Sequence, residues 1–265
     1  MSLATQFADA GVDWLLPDWP APRRVAAFAT TRNGSTREGE RTTLDLGPAH
    51  LDSLDRQAAD AIREHRLRVA MFLPSAPVWL EQVHATRVLS VDAHALERWR
   101  EQPPQADAAV TRLTDTPLAV RVADCLPVLF ADAHGGVVGI AHAGWRGLAA
   151  GVLETTLHAM QVPPASVIAW IGPGIGPKAF EVGSDVRDAF CCADPASAAH
   201  LVALREGKWL ADLPSLAVRR LRRAGVEHIH GASACTYSDP QRFFSYRRDR
   251  SAGRQGAFVW LASRS

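Results

Sequence analysis

The stretch Val137 to Glu154, VVGIAHAGWRGLAAGVLE, decides how the chain is built. Its first residues, Val137-Val138-Gly139-Ile140-Ala141, form an apolar run that reads as a buried strand. The run ends at His142. A helical pattern begins a few residues later, covers Gly147 to Met160 and stops before Pro163-Pro164. Between them lie Ala143-Gly144-Trp145-Arg146-Gly147, so a histidine and an arginine sit where a strand hands over to a helix. A helix start offers free N–H groups and partial positive charge, which suits an anion, and Arg146 is the side chain placed to hold one. Cys125 precedes His142 by 17 residues and follows Asp124 within a second apolar stretch, Leu118 to Ala131, read as strand.

Around this centre, strand and helix patterns interleave. Arg24 to Thr30 is a short strand candidate, followed by a polar loop, Thr31 to Arg41. Leu54 to Leu67 has helical spacing, and Val78 to His84 alternates and then breaks, as a strand ending in His84 does. Val88 to Val91 and Ala108 to Thr111 read as strands, with a loop over Arg100 to Gln105 between them. Val167 to Ile171 is a buried strand that runs into Gly172-Pro173-Gly174-Ile175-Gly176-Pro177, where glycines permit positive φ and prolines fix their neighbours. Ser184 to Cys191 and Leu213 to Ala224 are helices; Ile229 to Ala232 and Gly256 to Leu261 are closing strands. The regular βαβ beat of a doubly wound sheet is missing. The pattern predicts one domain over 1–265, α/β or α+β in class, with a mixed sheet.

Composition excludes several classes. The chain has 265 residues, 47% hydrophobic and 22% charged, with net charge +1, so nothing points to nucleic acid or an anionic membrane as partner. No window approaches the length of a membrane span, and Met1 to Pro20 carries three aspartates and no long apolar run, unlike a signal peptide. The four cysteines, Cys125, Cys191, Cys192 and Cys235, have no framework spacing and read as reduced thiols of a cytoplasmic protein.

His84, Cys125 and His142 each stand at or near the end of an apolar run. Neutral imidazole and thiolate are the usual zinc ligands, and three of them leave one position open for chemistry. Their separations, 41 and then 17 residues, form no local signature such as HExxH, and an inert core cysteine with hydrogen-bonded histidines gives the same pattern. Asp124, next to Cys125, either holds a turn or orients a histidine or arginine. Arg32, in Thr31-Arg32-Asn33-Gly34, is a loop arginine like Arg146, with a solvated surface role as its alternative. Phe243-Phe244-Ser245-Tyr246-Arg247-Arg248-Asp249 mixes aromatics and arginines, which suits a planar ring and an anion as well as a core. No GxxxxGK[ST] phosphate loop, GxSxG elbow or HxE…PCxxC deaminase signature is present.

Six motifs in order carry a resemblance: WLEQVH (79–84), ADA (106–108), ADCLPV (123–128), HAGWRG (142–147), IGPGIGP (171–177) with FEVG (180–183), and FFSYRR (243–248). Over about 23–261 the chain resembles the multicopper polyphenol oxidase, or laccase-domain, family, also called the purine nucleoside phosphorylase or peptidoglycan editing factor family. The resemblance implies a single layered α/β/β/α domain and a His–Cys–His metal site on His84, Cys125 and His142, with zinc favoured over copper. It implies phosphorolysis of adenosine, inosine and methylthioadenosine, and adenosine deamination, with purine nucleoside and phosphate as partners and no obligate protein partner. Arg32, Asp124, Arg146 and Arg247 are then the expected substrate and phosphate contacts. The alternatives are a cysteine hydrolase that edits peptidoglycan precursors with Cys125 as nucleophile, a copper-dependent polyphenol oxidase, and a non-enzymatic binding module. The chain departs from the family at Asp45-Leu46-Gly47, where Asn-Leu-Gly is usual, and at Ala49-His50-Leu51-Asp52.

Overall fold

The computed structural model describes residues 2–35, 42–52, 54–99, 103–250 and 253–263. Residues 36–41 of the expected polar loop and 100–102 of the loop before Gln105 lie outside the described residues.

A six-stranded mixed sheet carries the site. Its order is β13 (His228–Gly231), β9 (Val167–Ile171), β7 (Leu126–Asp132), β8 (Val138–Ala143), β5 (Ala108–Thr111) and β4 (Val88–Val91). The outer pairs are parallel and the inner ones antiparallel. Against one face packs an antiparallel three-stranded sheet of β1 (Val25–Ala29), β14 (Gln255–Leu261) and β6 (Leu118–Val122). Leu129, Val138, Ile140 and Trp170 from the large sheet meet Leu118, Val120, Ala257 and Val259 from the small one. The other face of the large sheet is covered by α4 (Trp145–Ala150), α5 (Val152–Met160), α6 (Ser184–Cys191) and α7 (Leu213–Arg223). The outer face of the small sheet packs Phe28, Phe258 and Trp260 against Phe7 of α1 (Leu3–Ala10) and Val69 of α2 (Arg56–Ala70). Helix, sheet, sheet and helix layers follow in that order, as the resemblance implied. Inside the large sheet, β5, β7, β8 and β9 are buried at every residue, so they read as nearly unbroken apolar runs, whereas the edge strands β4 and β13 keep exposed residues.

The smaller elements are α3 (Ala93–Arg98), α8 (Tyr246–Asp249), a ribbon of β2 (Asn33–Ser35) and β3 (Thr42–Thr43), and a ladder of β10 (Glu181–Val182), β12 (Lys208–Ala211) and β11 (Leu201–Arg205). No helix among the described residues is long and apolar enough to cross a membrane.

Three local expectations change. Leu118 to Ala131 is two strands in two different sheets, broken at Ala123-Asp124-Cys125 because Asp124 takes φ +93°. The helix after the opening strand is two helices, because Gly151 at φ +103° caps the first and starts the second. Val78 to His84 makes only isolated bridges at Val78 and Glu81. There the Gln82 side chain, in place of a backbone ladder, pairs with Arg121 N–H at 2.9 Å and Arg121 C=O at 2.8 Å.

Candidate metal centre

Strand register brings the candidate ligands to one end of the large sheet. Cys125 immediately precedes β7 and His142 is the next-to-last residue of β8, and these strands pair Leu126 with Ala143 and Pro127 with His142. Asp107 immediately precedes β5, and its C=O accepts the His142 N–H at 2.7 Å. His84 arrives from the loop before β4 with φ +61°. The three side chains place one ligand atom each within 4.8 Å of one another. Cys125 Sγ and His84 Nε2 are 3.9 Å apart, and the two imidazole rings meet edge to face at 4.8 Å.

One buried carboxylate organises both histidines. Asp107 is fully buried, and its oxygens accept the backbone N–H of His84 at 2.9 Å, Ala85 at 2.7 Å and Val83 at 3.2 Å. Its Oδ1 also lies 2.8 Å from His142 Nδ1. That bond keeps the His142 proton on Nδ1 and leaves Nε2 for a metal. Gly144 makes room for the group, since a Cβ there would stand 2.9 Å from Cys125 Sγ and 3.0 Å from His84 Cδ2.

The electrostatics suit a cation. Burial alone would raise the Cys125 thiol, but the charge and hydrogen bonds of His142 and His84 outweigh it and bring the thiol down to about 6. Burial alone would lower His142, but the thiolate and the Asp107 carboxylate raise it to about 9. A thiolate facing an imidazolium is an arrangement in which a divalent ion can replace the proton. Soft sulfur with two imidazole nitrogens is a zinc-type donor set, and His84 is exposed, so the fourth side is open. These residues could therefore hold a metal ion.

Asp124 shapes the approach. Its carboxylate accepts Thr236 Oγ1–H and the Arg247 N–H, both at 2.7 Å, and its C=O accepts the Ile175 N–H at 2.8 Å. Asp124 therefore holds the turn that presents Cys125, and orients the Arg247 backbone and not a histidine. The Gly172 to Pro177 loop packs here. Its glycines serve close approach without positive φ: a Cβ on Gly174 would stand 2.4 Å from Leu126 Cδ2.

The triad opens onto a cavity of about 530 Å³. Ile175, Phe180 and Tyr246 give it apolar surface; Asp124 and Arg247 also line it. Arg247 lies over the Phe180 ring at 5.5 Å and donates Nη1–H to Glu181 C=O at 2.8 Å. The structure does not bring Arg32 or Arg146 to the cavity wall. Arg146 is exposed and stacks on Trp145 at 4.3 Å; α4, with 6 residues, begins at Trp145, and its N-cap Gly144 lies against the ligand cluster. Arg32 lies over Phe244 at 4.7 Å and donates to Pro240 C=O at 2.9 Å. Phe243 and Phe244 are core, while Tyr246 is half exposed at the cavity. Sequence reasoning missed the role of Asp107, and did not single out Arg121 or Arg254, which also line the cavity. An acid between alanines ahead of a buried strand, and an arginine inside Leu118-Ala119-Val120-Arg121-Val122, were the available signals; Arg254 offered none.

Residues 26–262 match the family model described as multi-copper polyphenol oxidoreductase laccase. The chain belongs to this laccase family. A family relative from Pseudomonas aeruginosa, named purine nucleoside phosphorylase, is 45% identical over 249 residues, covering 94% of this chain and 98% of that protein. The Escherichia coli relative, named purine nucleoside phosphorylase YfiH, is 44% identical, covering 93% of this chain and 98% of its own. The crystal structure of a Neisseria meningitidis protein superposes with TM-score 0.84 at 43% identity, over 95% of this chain and all of that one. YlmD from Geobacillus stearothermophilus superposes with TM-score 0.81 at 29% identity, over 94% of this chain and 96% of that one.

Proposed function

We propose that this chain acts as one domain on purine nucleosides, catalysing phosphorolysis of adenosine, inosine and methylthioadenosine, and deamination of adenosine, with zinc held by His84, Cys125 and His142. The observation that carries the reading is the convergence of this ligand set on a cavity that also has ring faces and arginines. The names of the Pseudomonas and Escherichia relatives support the substrate class.

Zinc bound there would supply Lewis acidity and activate water near neutral pH. The protein's own part is positional. Asp107 fixes both histidines, Cys125 brings a negative donor, and Phe180 and Tyr246 offer faces on which a purine can stack. In phosphorolysis a phosphate oxygen bonds to the ribose C1′ as the glycosidic bond breaks, and the base leaves with a proton. In deamination water adds at the purine C6 and ammonia departs. The test is an assay of purified protein with adenosine, with and without phosphate, resolving adenine, inosine, hypoxanthine and ribose 1-phosphate. Adenine and ribose 1-phosphate formed only with phosphate support phosphorolysis; inosine formed without it supports deamination. No product under any condition contradicts both.

The lowered Cys125 thiol favours one second reading, a cysteine hydrolase with Cys125 as nucleophile and His142 or His84 as base. Covalent trapping of Cys125 by a substrate-like electrophile in metal-loaded protein would support it. Copper oxidase chemistry fits the ligands less well. Among the described residues there is one compact His/Cys group, whereas a multicopper centre needs several histidine clusters.

A further inference from the structure

At the end of the large sheet opposite the ligand cluster lies a smaller cavity, of about 220 Å³. β5 begins beside Asp107, which anchors the histidines, and runs away from it to Thr111, where this cavity opens. The cavity exists because α5 stops short. Gln161 caps that helix at φ +52° and Pro163-Pro164 follow, so the ends of β4 and β5 stay uncovered on the helix side. Val110 and Val137, both buried, give the cavity apolar surface. Ser90, Asp92, Arg112 and Gln161 give it polar groups.

The two charged groups of this cavity are placed to meet, and do not. β4 and β5 run parallel and pair Val88 with Ala108 through Val91 with Thr111, so Asp92 and Arg112 come next in register. Asp92 keeps an extended backbone, φ −115° and ψ 179°. Neighbouring strands lie about 4.8 Å apart and side chains alternate between faces, so both project on the face of Val110, which packs among the helices. Opposite charges so placed ordinarily bond across the strands. Instead Asp92 Oδ1 accepts the Ala95 N–H at 2.7 Å and caps α3, while Arg112 Nη2 donates to the Met160 carbonyl at 2.8 Å at the end of α5. Among the described residues, Asp92 Oδ2 and Arg112 Nε and Nη1 have no hydrogen-bond partner. A carboxylate and a guanidinium, each fixed by one bond, thus border one cavity with an acceptor and two donors uncommitted.

We propose that this cavity binds a small zwitterion with an aliphatic side chain, an α-amino acid in chemical class. Arg112 Nε and Nη1 take its carboxylate, Asp92 Oδ2 takes its ammonium, and Val110 and Val137 face its side chain. The volume, below the roughly 300 Å³ at which pockets for larger ligands begin, sets its size. A lone anion would be repelled by Asp92 and a lone cation by Arg112, so a ligand bearing both charges is the match. The site does not rest on the nucleoside reading, since none of its residues lines the cavity beside the metal ligands.

The test titrates L-leucine, N-acetyl-L-leucine and L-leucine amide into the full-length protein by calorimetry. Each derivative lacks one of the two charges. The expected result is saturable binding of L-leucine, with a Kd at least tenfold higher for either derivative. Asp92→Asn keeps the cap acceptor and the shape but removes the charge. It should weaken L-leucine at least tenfold and leave N-acetyl-L-leucine within about twofold. Arg112→Gln should weaken L-leucine at least tenfold, while Arg222→Gln, exposed on α7, leaves it unchanged. If loss of the Met160 contact unfolds Arg112→Gln, Asp92→Asn decides alone. L-leucine binding that survives the substitutions, as chelation at the metal ligands would, overturns the proposal. So does equal affinity for all three probes, or no saturable binding of L-leucine to wild type at millimolar concentration.

Discussion

Asp107 is where single-residue chemistry matters most. It joins the loop bearing His84 to the strand bearing His142 through four polar contacts on one carboxylate. Replacing Asp107 by Asn keeps the shape but removes the charge and turns one acceptor into a donor. Metal affinity should fall about 10- to 100-fold, measured by competition with a chromophoric chelator. Gly144→Ala tests the crowding beside Cys125, and weaker metal binding with near-native circular dichroism is the expected outcome. His84 and His142 were legible in the sequence because each ends an apolar run, and Cys125 because it follows the acidic Asp124 inside one. Asp107 was not, because its partners lie 22 to 35 residues away and only the fold brings them to it. Arg146 looked like an anion holder on position alone, yet its side chain stacks outward on Trp145.

Elements were readable where burial was complete and ambiguous where a single residue ends them. Val88–Val91, Ala108–Thr111 and Val167–Ile171 stand where the apolar runs placed them. The break at Asp124 was hidden because buried strands of two different sheets share one apolar vocabulary. The break at Gly151 was hidden because one glycine inside a helical pattern leaves the period intact. Gly151→Ala forces a side chain into φ +103° and should destabilise the fold by about 1 kcal/mol or more, read as a shift in the urea midpoint. The ladder strand Leu201–Arg205 escaped notice because four of its five residues are exposed and present no apolar face to the core.

For the molecule as a whole, stability should depend on acid and on metal. Hydrogen bonds from Arg219, with Arg223 beside it, hold Asp194 well below the usual carboxylate range and tie α7 to the segment after α6. The folded pKa lies below the unfolded value of about 3.9, so this stabilisation is present above that value. It is lost as pH falls toward the folded pKa. Asp194→Asn should lower Tm at neutral pH and flatten its fall between about pH 5 and pH 2, as followed by thermal melts. The candidate ligands His84, Cys125 and His142 come from three separate segments of chain, so an ion bound there would clip them together. At 1,000 times Kd, free zinc should add about 4 kcal/mol of stability, seen as a higher Tm that chelation reverses. Layer order was legible through the family motifs; the cavity's arginine lining was not, since Arg121 and Arg254 stand 133 positions apart in sequence. The most direct measurement pairs metal content with turnover, comparing wild type with the His84→Ala/Cys125→Ala/His142→Ala variant. The account predicts about one zinc per chain in wild type, together with phosphate-dependent release of adenine from adenosine. It predicts loss of both, with activity down at least 100-fold, in the variant. Full phosphorolysis by the metal-free triple variant would contradict it.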